Sequence, residues 1–350
     1  MLTLVALLSG ANSQRAIARW GQHIDGRYLR ALGFPRRRSP SLATLHRLLR
    51  QVPVAELEAC LGQWLAQVRA AGRRAGRRWL DGIAIDGKTL RGARRLGAAD
   101  VHLLSACCQR EALVLGQLAV PDTTNELGAV GCFLARLLLA GETVTFDAEF
   151  THALVAQQVL AQGASYLMVV KANQPTLQRA CRAATTSPLV RPCRQYGQTR
   201  TTRLAHGRIE ERTLWAAAAP ADLGFPGVRQ VLRLDRRFRD KRTGAVLTGE
   251  TIYALTALPP EQASPRQLLD LWRRHWWIEN REHWVRDVVF GEDACTTRTG
   301  TAPEALAAFR NLAIALLHHW KRPHITAARQ YFAGHPAALF RRLHLAPIGL

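Results

Sequence analysis

The first 75 residues place apolar and polar positions at the spacing of α-helices. AIARWGQHI and SLATLHRLLRQVPVAELEACLGQWLAQV both repeat apolar residues at intervals of three and four, which puts those residues on one face of a helix. Between them lies the basic loop GFPRRRSPS, after which Ser41 is predicted to cap the next helix. The pattern predicts a helical region with two open interpretations: a helix-turn-helix that reads DNA, or a plain bundle with a basic face.

From residue 80 onward, short apolar runs alternate with helical stretches. GIAIDG, VHLLSACC, ALVLGQLAV, VTFDAEF and ASYLMVVK have the length and composition of strands. ELGAVGCFLARLLLAG and HALVAQQVLAQG have helical patterns and lie on either side of VTFDAEF. The order β-β-β-α-β-α-β predicts an α/β fold with a mixed sheet and helices packed on it.

Residues 190–260 interrupt this alternation with a β-rich segment. RIEERTLWAAA, VRQVLRLDRRF and GETIYALTAL are predicted strands. SPRQLLDLWRRHWWIENREHWVRDVV is then predicted to form one long helix, which Ser264 begins and which has Pro265 in its first turn. A further helical region closes the chain.

The composition of the chain indicates the class of its binding partner. The 350 residues include 48 Lys and Arg against 26 Asp and Glu, a formal net charge of +22, and 48% of them are hydrophobic. The apolar content excludes wholesale disorder, and no apolar run reaches the roughly 18–20 residues that span a bilayer. The excess charge predicts a polyanionic partner, most commonly nucleic acid, with acidic lipid or simple surface charge as the alternatives.

The cysteines and the N-terminus bear on the compartment. The seven cysteines are scattered and form no CxxC pair, which indicates a reducing compartment rather than a disulfide framework. MLTLVALLSGANSQ lacks the basic start of a signal peptide, so an amphipathic first helix is expected instead. We therefore expect a cytoplasmic protein.

Two carboxylates lie where predicted strands end. Asp86 ends the first strand and Asp147 ends the fourth, each after apolar residues. A charge at the end of a buried strand needs compensation, and Mg²⁺ coordination by carboxylates supplies it. The alternatives are a turn Asp before Gly87 and, for Asp147, a cap of the following helix.

A third carboxylate is predicted on the long helix. Its spacing places five residues on one face: Trp272, His275, Glu279, His283 and Arg286. Two ions held by Asp86, Asp147 and Glu279 are suited to stabilise the attacking and leaving oxygens at a phosphodiester. Glu279 is alternatively one exposed acid among several, with Glu282, Asp287, Glu292 and Asp293.

These residues carry a resemblance to a known family. AIDGKTLRGA, VTFDAEFTHALVAQQ, YLMVVKANQPTL, HGRIEERTL and HWWIENREHWVRDVVFGEDA occur in this order and are similar to the motifs of the ISAs1 family of DDE transposases, in the wider IS4-like group. The similarity runs through nearly the whole chain.

The resemblance implies an RNase H-like catalytic core with Asp86, Asp147 and Glu279 as its catalytic and metal-binding triad. It implies Mg²⁺ or Mn²⁺, cleavage and strand transfer at insertion-sequence ends, and double-stranded DNA as partner. It also implies a homodimer in the synaptic complex and association with the nucleoid. Four regions are expected: a helical DNA-binding region 1–78, the first part of the core 79–188, a β-rich insertion 189–262, and the core's completion 263–350.

Further residues are expected to contact DNA. Two groups of polar residues follow predicted strands and are expected along the same edge of the sheet as the acids. Such side chains contact phosphates and position a duplex without reading its sequence. The groups are Lys88 and Arg91 after Asp86, and Lys171, Asn173 and Gln174 after the fifth strand. Ordinary loop polarity is the alternative. The resemblance adds His206 and Arg208 from the HGRIE segment, and His275 and Arg286 from the long helix.

The chain also departs from the family's pattern. The wider group carries Tyr, Arg, Glu and Lys on the long helix, where this chain has Trp272, His275, Glu279 and Arg286. Glu149 is an added acid that shares Asp147's side if 147–150 is extended. The departures keep another function open, that of a catalytically inactive or domesticated DNA-binding derivative. A third hypothesis is a nuclease of the same fold that is indifferent to sequence.

Overall fold

A computed structural model of the chain describes residues 1–73, 80–93, 101–121, 123–186, 196–205 and 207–345. Over these ranges the strands are β1 Ile83–Leu90, β2 Val101–Cys108, β3 Leu113–Ala119, β4 Thr143–Phe146, β5 Ser165–Val170, β6 Tyr196–Ala205, β7 Arg208–Ala218, β8 Gln230–Asp240 and β9 Val246–Thr256. The helices are α1 Leu2–Leu8, α2 Gln14–His23, α3 Gly26–Ala31, α4 Leu42–Leu49, α5 Val54–Arg73, α6 Glu126–Leu134, α7 Ala153–Ala161, α8 Pro175–Thr186, α9 Pro265–His275, α10 Ala302–His319, α11 Ile325–Gly334 and α12 Pro336–Arg342.

The strands form one mixed sheet in the order β3-β2-β1-β4-β5-β9-β8-β7-β6. β1, β4 and β5 run parallel, β2 and β3 form an antiparallel pair, and β9, β8, β7 and β6 continue antiparallel from β5. This mixed α/β architecture confirms the predicted fold class.

The chain folds as two compact units, each built from separate segments. The first unit comprises Met1–Ala75, Gly87–Glu126 and Trp277–Leu350, and the second comprises Gly76–Asp86 and Leu127–Trp276. The four expected regions remain a prediction, since these units join pieces of several of them.

In the first unit, α1 is the centre of a helical core. All seven of its residues are buried, and Leu4, Val5, Leu7 and Leu8 share a cluster with residues of α10, α11 and α12. The expectation of an amphipathic first helix is therefore wrong, because this helix has apolar neighbours on every side. The predicted cap of α4 is confirmed, since the Ser41 hydroxyl accepts a hydrogen bond from the Thr44 amide at 3.2 Å.

In the second unit, the β-rich segment extends the sheet. The three predicted strands are observed as β7, β8 and β9, and β6 is an additional strand. Leu214, Leu232 and Ala254 from these strands pack against leucines of α9 and against Trp272 in one buried cluster. Trp272 is thus a core residue that attaches α9 to the sheet.

The predicted long helix is interrupted. α9 begins with the expected capping box at Ser264 and ends at His275, and two π-helical turns follow at Glu279–His283 and Val285–Val289. We call residues 279–289 the π segment. No described helix is both long and apolar enough to cross a membrane.

Candidate active site

Two acids occupy matching positions on neighbouring parallel strands. The last residue pair in the register of β1 with β4 is Ile85 opposite Phe146. Asp86 and Asp147 are the residues that directly follow this pair. Parallel neighbours lie roughly 4.8 Å apart, and residues in register point to the same face of a sheet. β4 ends as predicted, but β1 continues to Leu90, so Asp86 lies within its strand rather than at the end.

A tight turn fixes the second acid. The Asp147 Oδ1 accepts a hydrogen bond from the Glu149 amide at 3.3 Å and so caps the 3₁₀ turn Ala148–Phe150. Its Oδ2 lies 3.5 Å from the Lys171 Nζ. Side chains two residues apart point to the same side only in an extended chain, and residues 148–150 form a turn. The condition under which Glu149 was expected to lie on the same side as Asp147 is therefore not met.

The loop after β5 holds this turn in place. The Asn173 Nδ2 donates to the Ala148 carbonyl at 2.9 Å, and the Gln174 Nε2 donates to the Thr151 carbonyl at 3.0 Å. The Thr151 hydroxyl donates in turn to the Val169 carbonyl at 2.6 Å. In this structure Asn173 and Gln174 therefore orient the Asp147 turn, and their expected phosphate contacts stay a prediction.

The end of α9 supports β4 from the side. The His275 Nδ1 lies 2.8 Å from the Thr145 hydroxyl, and Thr145 is two residues before Asp147 and so on the same face. His275 is only 6% exposed. Its side chain stabilises the strand that leads to Asp147, while the DNA contact expected of it remains untested.

The third expected acid belongs to the first unit. Glu279 is exposed and begins the π segment. Over the described ranges, no group of three or more His, Cys, Asp or Glu side chains is arranged to hold a metal ion. The fit for Mg²⁺ therefore rests on Asp86 and Asp147, two neighbouring half-buried carboxylates, and one or two carboxylates are what Mg²⁺ usually takes from a protein.

Two expected DNA contacts are buried ion pairs. Arg286 is fully buried, with its Nη1 2.5 Å from Glu282 and its Nη2 2.7 Å from Glu292. The Lys88 Nζ lies 2.5 Å from Asp287. In this structure neither cation is presented to solvent.

The expected common face of the long helix is also lost. The stretch contains a break after His275 and then π-helical turns, in which the Trp284 amide donates to the Glu279 carbonyl, five residues earlier. Glu279 and Arg286 are seven residues apart, which is nearly two turns of an α-helix at about 3.6 residues per turn. In a π-helix, whose hydrogen bonds join residues five apart, seven residues make well under two turns. Glu279 is accordingly exposed while Arg286 is buried.

The remaining expected contacts are exposed or undescribed. Arg91 and Lys171 are exposed, and Arg208 is exposed with its guanidinium 4.6 Å from the centre of the Phe238 ring. His206 lies outside the described residues. Arg91, Lys171 and Arg208 therefore stay available for phosphate.

Sequence reasoning missed the residues around Arg286. Glu282 and Glu292 are buried, and Arg310 of α10 places its Nη1 2.8 Å from Glu292. Burial alone raises the pKa of Glu282, but His283 and Arg286 outweigh it and lower the pKa to about 2. One signal was present: Arg310 stands in the apolar stretch AAFRNLAIALL, and a lone cation in a buried helix requires a partner.

Comparison with known proteins identifies the class. Residues 80–316 match the family described as transposase DDE domain, and residues 1–65 match the one described as DDE_Tnp_1-associated. The first match covers more than half of the chain and includes the strands that carry Asp86 and Asp147. The chain belongs to the transposase DDE domain family.

Two of its relatives span nearly the whole length of this chain. The H repeat-associated putative transposase YhhI of Escherichia coli (strain K12) is 28% identical over 336 residues, 91% of this chain and 83% of that protein. Putative protein YbfL of the same organism is 29% identical with the same coverage. An uncharacterized protein in the dhlA 3'region of Xanthobacter autotrophicus is 31% identical over 215 residues, 61% of this chain and 70% of that protein.

Among solved structures, the cryo-EM structure of a piggyBac transposase synaptic complex with hairpin DNA is a distant match. Its TM-score is 0.38 at 12% identity, and the match covers 77% of this chain and 55% of that chain. This chain thus spans about half the length of that transposase.

Proposed function

We propose that the protein is a DDE transposase of the ISAs1 family that cleaves DNA at insertion-sequence ends and transfers the strands to a target. One observation carries the proposal: Asp86 and Asp147 follow the last register pair of two parallel strands, inside the segment that matches the transposase DDE domain. Glu279 is proposed as the third member of the triad.

Mg²⁺ or Mn²⁺ is the proposed cofactor, held by Asp86, Asp147 and Glu279. When bound, it supplies charge stabilisation for the oxygens of the phosphodiester. The chain's own residues prepare the ligands. Lys171 balances the charge of Asp147, Asn173 anchors the capping turn, and His275 supports β4.

Double-stranded DNA is the proposed partner, both as element ends and as target. The net charge of +22 and the exposed cations Arg91, Lys171 and Arg208 support backbone contacts, so affinity is expected to fall steeply with salt. We also propose DNA recognition by the helical N-terminal region, a homodimer in the synaptic complex, and association with the nucleoid.

The test is cleavage of end-bearing DNA by the full chain with Mg²⁺ or Mn²⁺. Asp86→Asn is expected to abolish nicking while DNA binding persists, because the amide keeps the shape but removes a charged ligand. Asp222→Asn, an exposed acid of the same unit, is the matched control and is expected to cleave as the wild type does. Unchanged cleavage by Asp86→Asn would refute its assignment.

The same assay separates the alternatives. A catalytically inactive or domesticated derivative binds end DNA without metal-dependent nicking. The altered family positions, Trp272 and His275 among them, keep that alternative open. A sequence-indifferent nuclease digests DNA that lacks terminal repeats equally well. Selective nicking at the ends supports the transposase.

A further inference from the structure

The π segment separates an exposed acid from a buried cation. Glu279 faces solvent at its start, and Arg286, seven residues later, has no exposed surface. An α-helix brings positions seven apart close to one face, so the observed separation depends on the wider turns. Such turns are uncommon and occur often at functional sites. Whatever holds these turns in shape therefore decides where the Glu279 carboxylate lies.

Buried charges hold these turns. Arg286 joins Glu282, inside the first π turn, to Glu292, beyond the second, with N–O distances of 2.5 and 2.7 Å. Arg310 of α10 fixes Glu292 at 2.8 Å and donates to the Asn12 carbonyl at 3.2 Å. The four charged side chains are between 0% and 3% exposed. Because they lie out of water, each depends on its partners.

A second contact ties the same segment to β1. Lys88, two residues after Asp86, forms its 2.5 Å ion pair with Asp287, the residue after Arg286. Close packing accompanies the pair: a side chain at Gly92 would meet the carbonyl oxygens of Glu292 and Asp293 within 3 Å. The segment is thus held by contacts with Lys88 of β1 and, through Glu292, with Arg310 of α10.

We propose that Arg286 is a positioning residue, which sets the place of Glu279 by bridging Glu282 and Glu292, and does not contact DNA. The proposal rests on Glu279 being a metal ligand in the proposed function. It departs from the resemblance, which puts a lysine at this position. A lysine ammonium is a single point charge, whereas the guanidinium of Arg286 donates from Nη1 to Glu282 and from Nε to Glu292. In this chain the bridge requires arginine.

Arg286→Lys is the sharpest variant because the two roles predict opposite results. As a DNA contact, lysine keeps the charge and preserves activity. As a bridge, lysine reaches only one of the two carboxylates and breaks the link between Glu282 and Glu292, so the amides of 279–289 are expected to exchange hydrogen at least about ten-fold faster. The Mn²⁺ concentration for half-maximal cleavage is then expected to rise about ten-fold or more, as for other residues that orient a metal ligand. Val288→Thr, at a 60% exposed position of the same segment, is the matched control and keeps wild-type exchange.

Arg286→Gln adds a readout that is independent of catalysis. The salt dependence of affinity for end DNA is expected to stay at the wild-type slope, whereas loss of a phosphate contact lowers the slope by about one. Arg91→Gln, at an exposed cation, is the positive control for that loss. If Arg286→Lys does not fold cooperatively, Glu292→Gln keeps the side-chain shape and carries the same expectations for exchange and Mn²⁺.

The outcomes separate this proposal from the proposed function. Wild-type exchange and Mn²⁺ dependence in Arg286→Lys, or a reduced salt slope in Arg286→Gln, overturn the positioning role. A wild-type protein that never nicks end DNA overturns the transposase, and the exchange and salt measurements still decide whether Arg286 orders the π segment or contacts DNA. Faster exchange of 279–289 with an unchanged salt slope supports the bridge.

Discussion

The two places that supply the proposed metal ligands are built by different physics. On β1 and just after β4, Asp86 and Asp147 are positioned by backbone register, a capping turn and hydrogen bonds from neutral amides. In the π segment, Glu279 is positioned by turns that buried ion pairs hold. Substitutions of Asp86 or Asp147 should therefore lower the cleavage rate with little effect on stability. Changes in the buried network should alter both.

The largest expected effect is on the cleavage rate, when one acid of the Asp86–Asp147 pair is replaced. Asp147→Asn removes one carboxylate and keeps the cap, since an amide oxygen also accepts from the Glu149 amide. A metal contributes several kcal/mol to such a reaction, so cleavage should fall by at least about a thousand-fold. The melting temperature should stay near that of the wild type. If Asp147→Asn lost stability in proportion to its activity, the proposed difference between the Asp86–Asp147 pair and the buried network would be contradicted.

The next effect is on stability in the buried network. Arg286→Met leaves Glu282 and Glu292 without their shared cation, and breaking a buried pair costs about 3–5 kcal/mol. Urea denaturation measures the loss. Arg200→Met is the matched control, because Arg200 pairs with Glu211 at the surface and is 61% exposed, where a pair contributes about 1 kcal/mol or less. Equal losses in the two variants would contradict the account.

A third prediction compares two buried carboxyls of the first unit. Burial, opposed by the Gln117 amide and Arg286, raises the pKa of Glu58 from 4.5 to about 7, while Glu282 keeps a low pKa because of its cations. A raised folded pKa gives stability that is complete below pH 4.5 and is lost as pH rises through 7. Glu58→Gln should therefore gain stability relative to the wild type between pH 5 and 8, by up to roughly 3 kcal/mol.

Urea denaturation across that pH range measures the gain. Glu56→Gln, an exposed acid on the same helix, is the control and should change with pH as the wild type does. A Glu58→Gln protein whose stability ran parallel to the wild type at every pH would show that this carboxyl titrates normally.

The smallest effect is expected from the loop that orients Asp147. Asn173→Ala removes the 2.9 Å hydrogen bond to the Ala148 carbonyl, which is worth about 1 kcal/mol. The cleavage rate should fall by about ten-fold at most, with a nearly unchanged melting temperature. Gln157→Ala, exposed on α7, serves as control. A loss as large as that of Asp147→Asn would make Asn173 a direct participant in the reaction.

The comparison also explains what the sequence could predict. β1 and β4 were visible because apolar residues run directly into Asp86 and Asp147, and a parallel pairing of such strands brings their ends together. The cap at Ser41 and the capping box at Ser264 were visible because each depends on residues within one turn. Features set by neighbours in the sequence were predictable.

Features set by distant partners were not. β6 was missed because seven of the ten residues of YGQTRTTRLA are polar or glycine, and it is a strand only through its pairing with β7. Arg286 was placed with Glu279 because helical spacing suggested one face, whereas partners at 292 and 310 decided its burial. A pattern within one helix carries no information about such partners.

The most direct test of the central claim is Mn²⁺ binding to the full chain on end DNA, followed by the electron paramagnetic resonance signal of free Mn²⁺. Asp86→Asn and Asp147→Asn should each weaken binding by about ten-fold or more, because each removes one of two neighbouring carboxylate ligands. Asp222→Asn should bind as the wild type does. Wild-type Mn²⁺ affinity in both Asp86→Asn and Asp147→Asn would contradict the account.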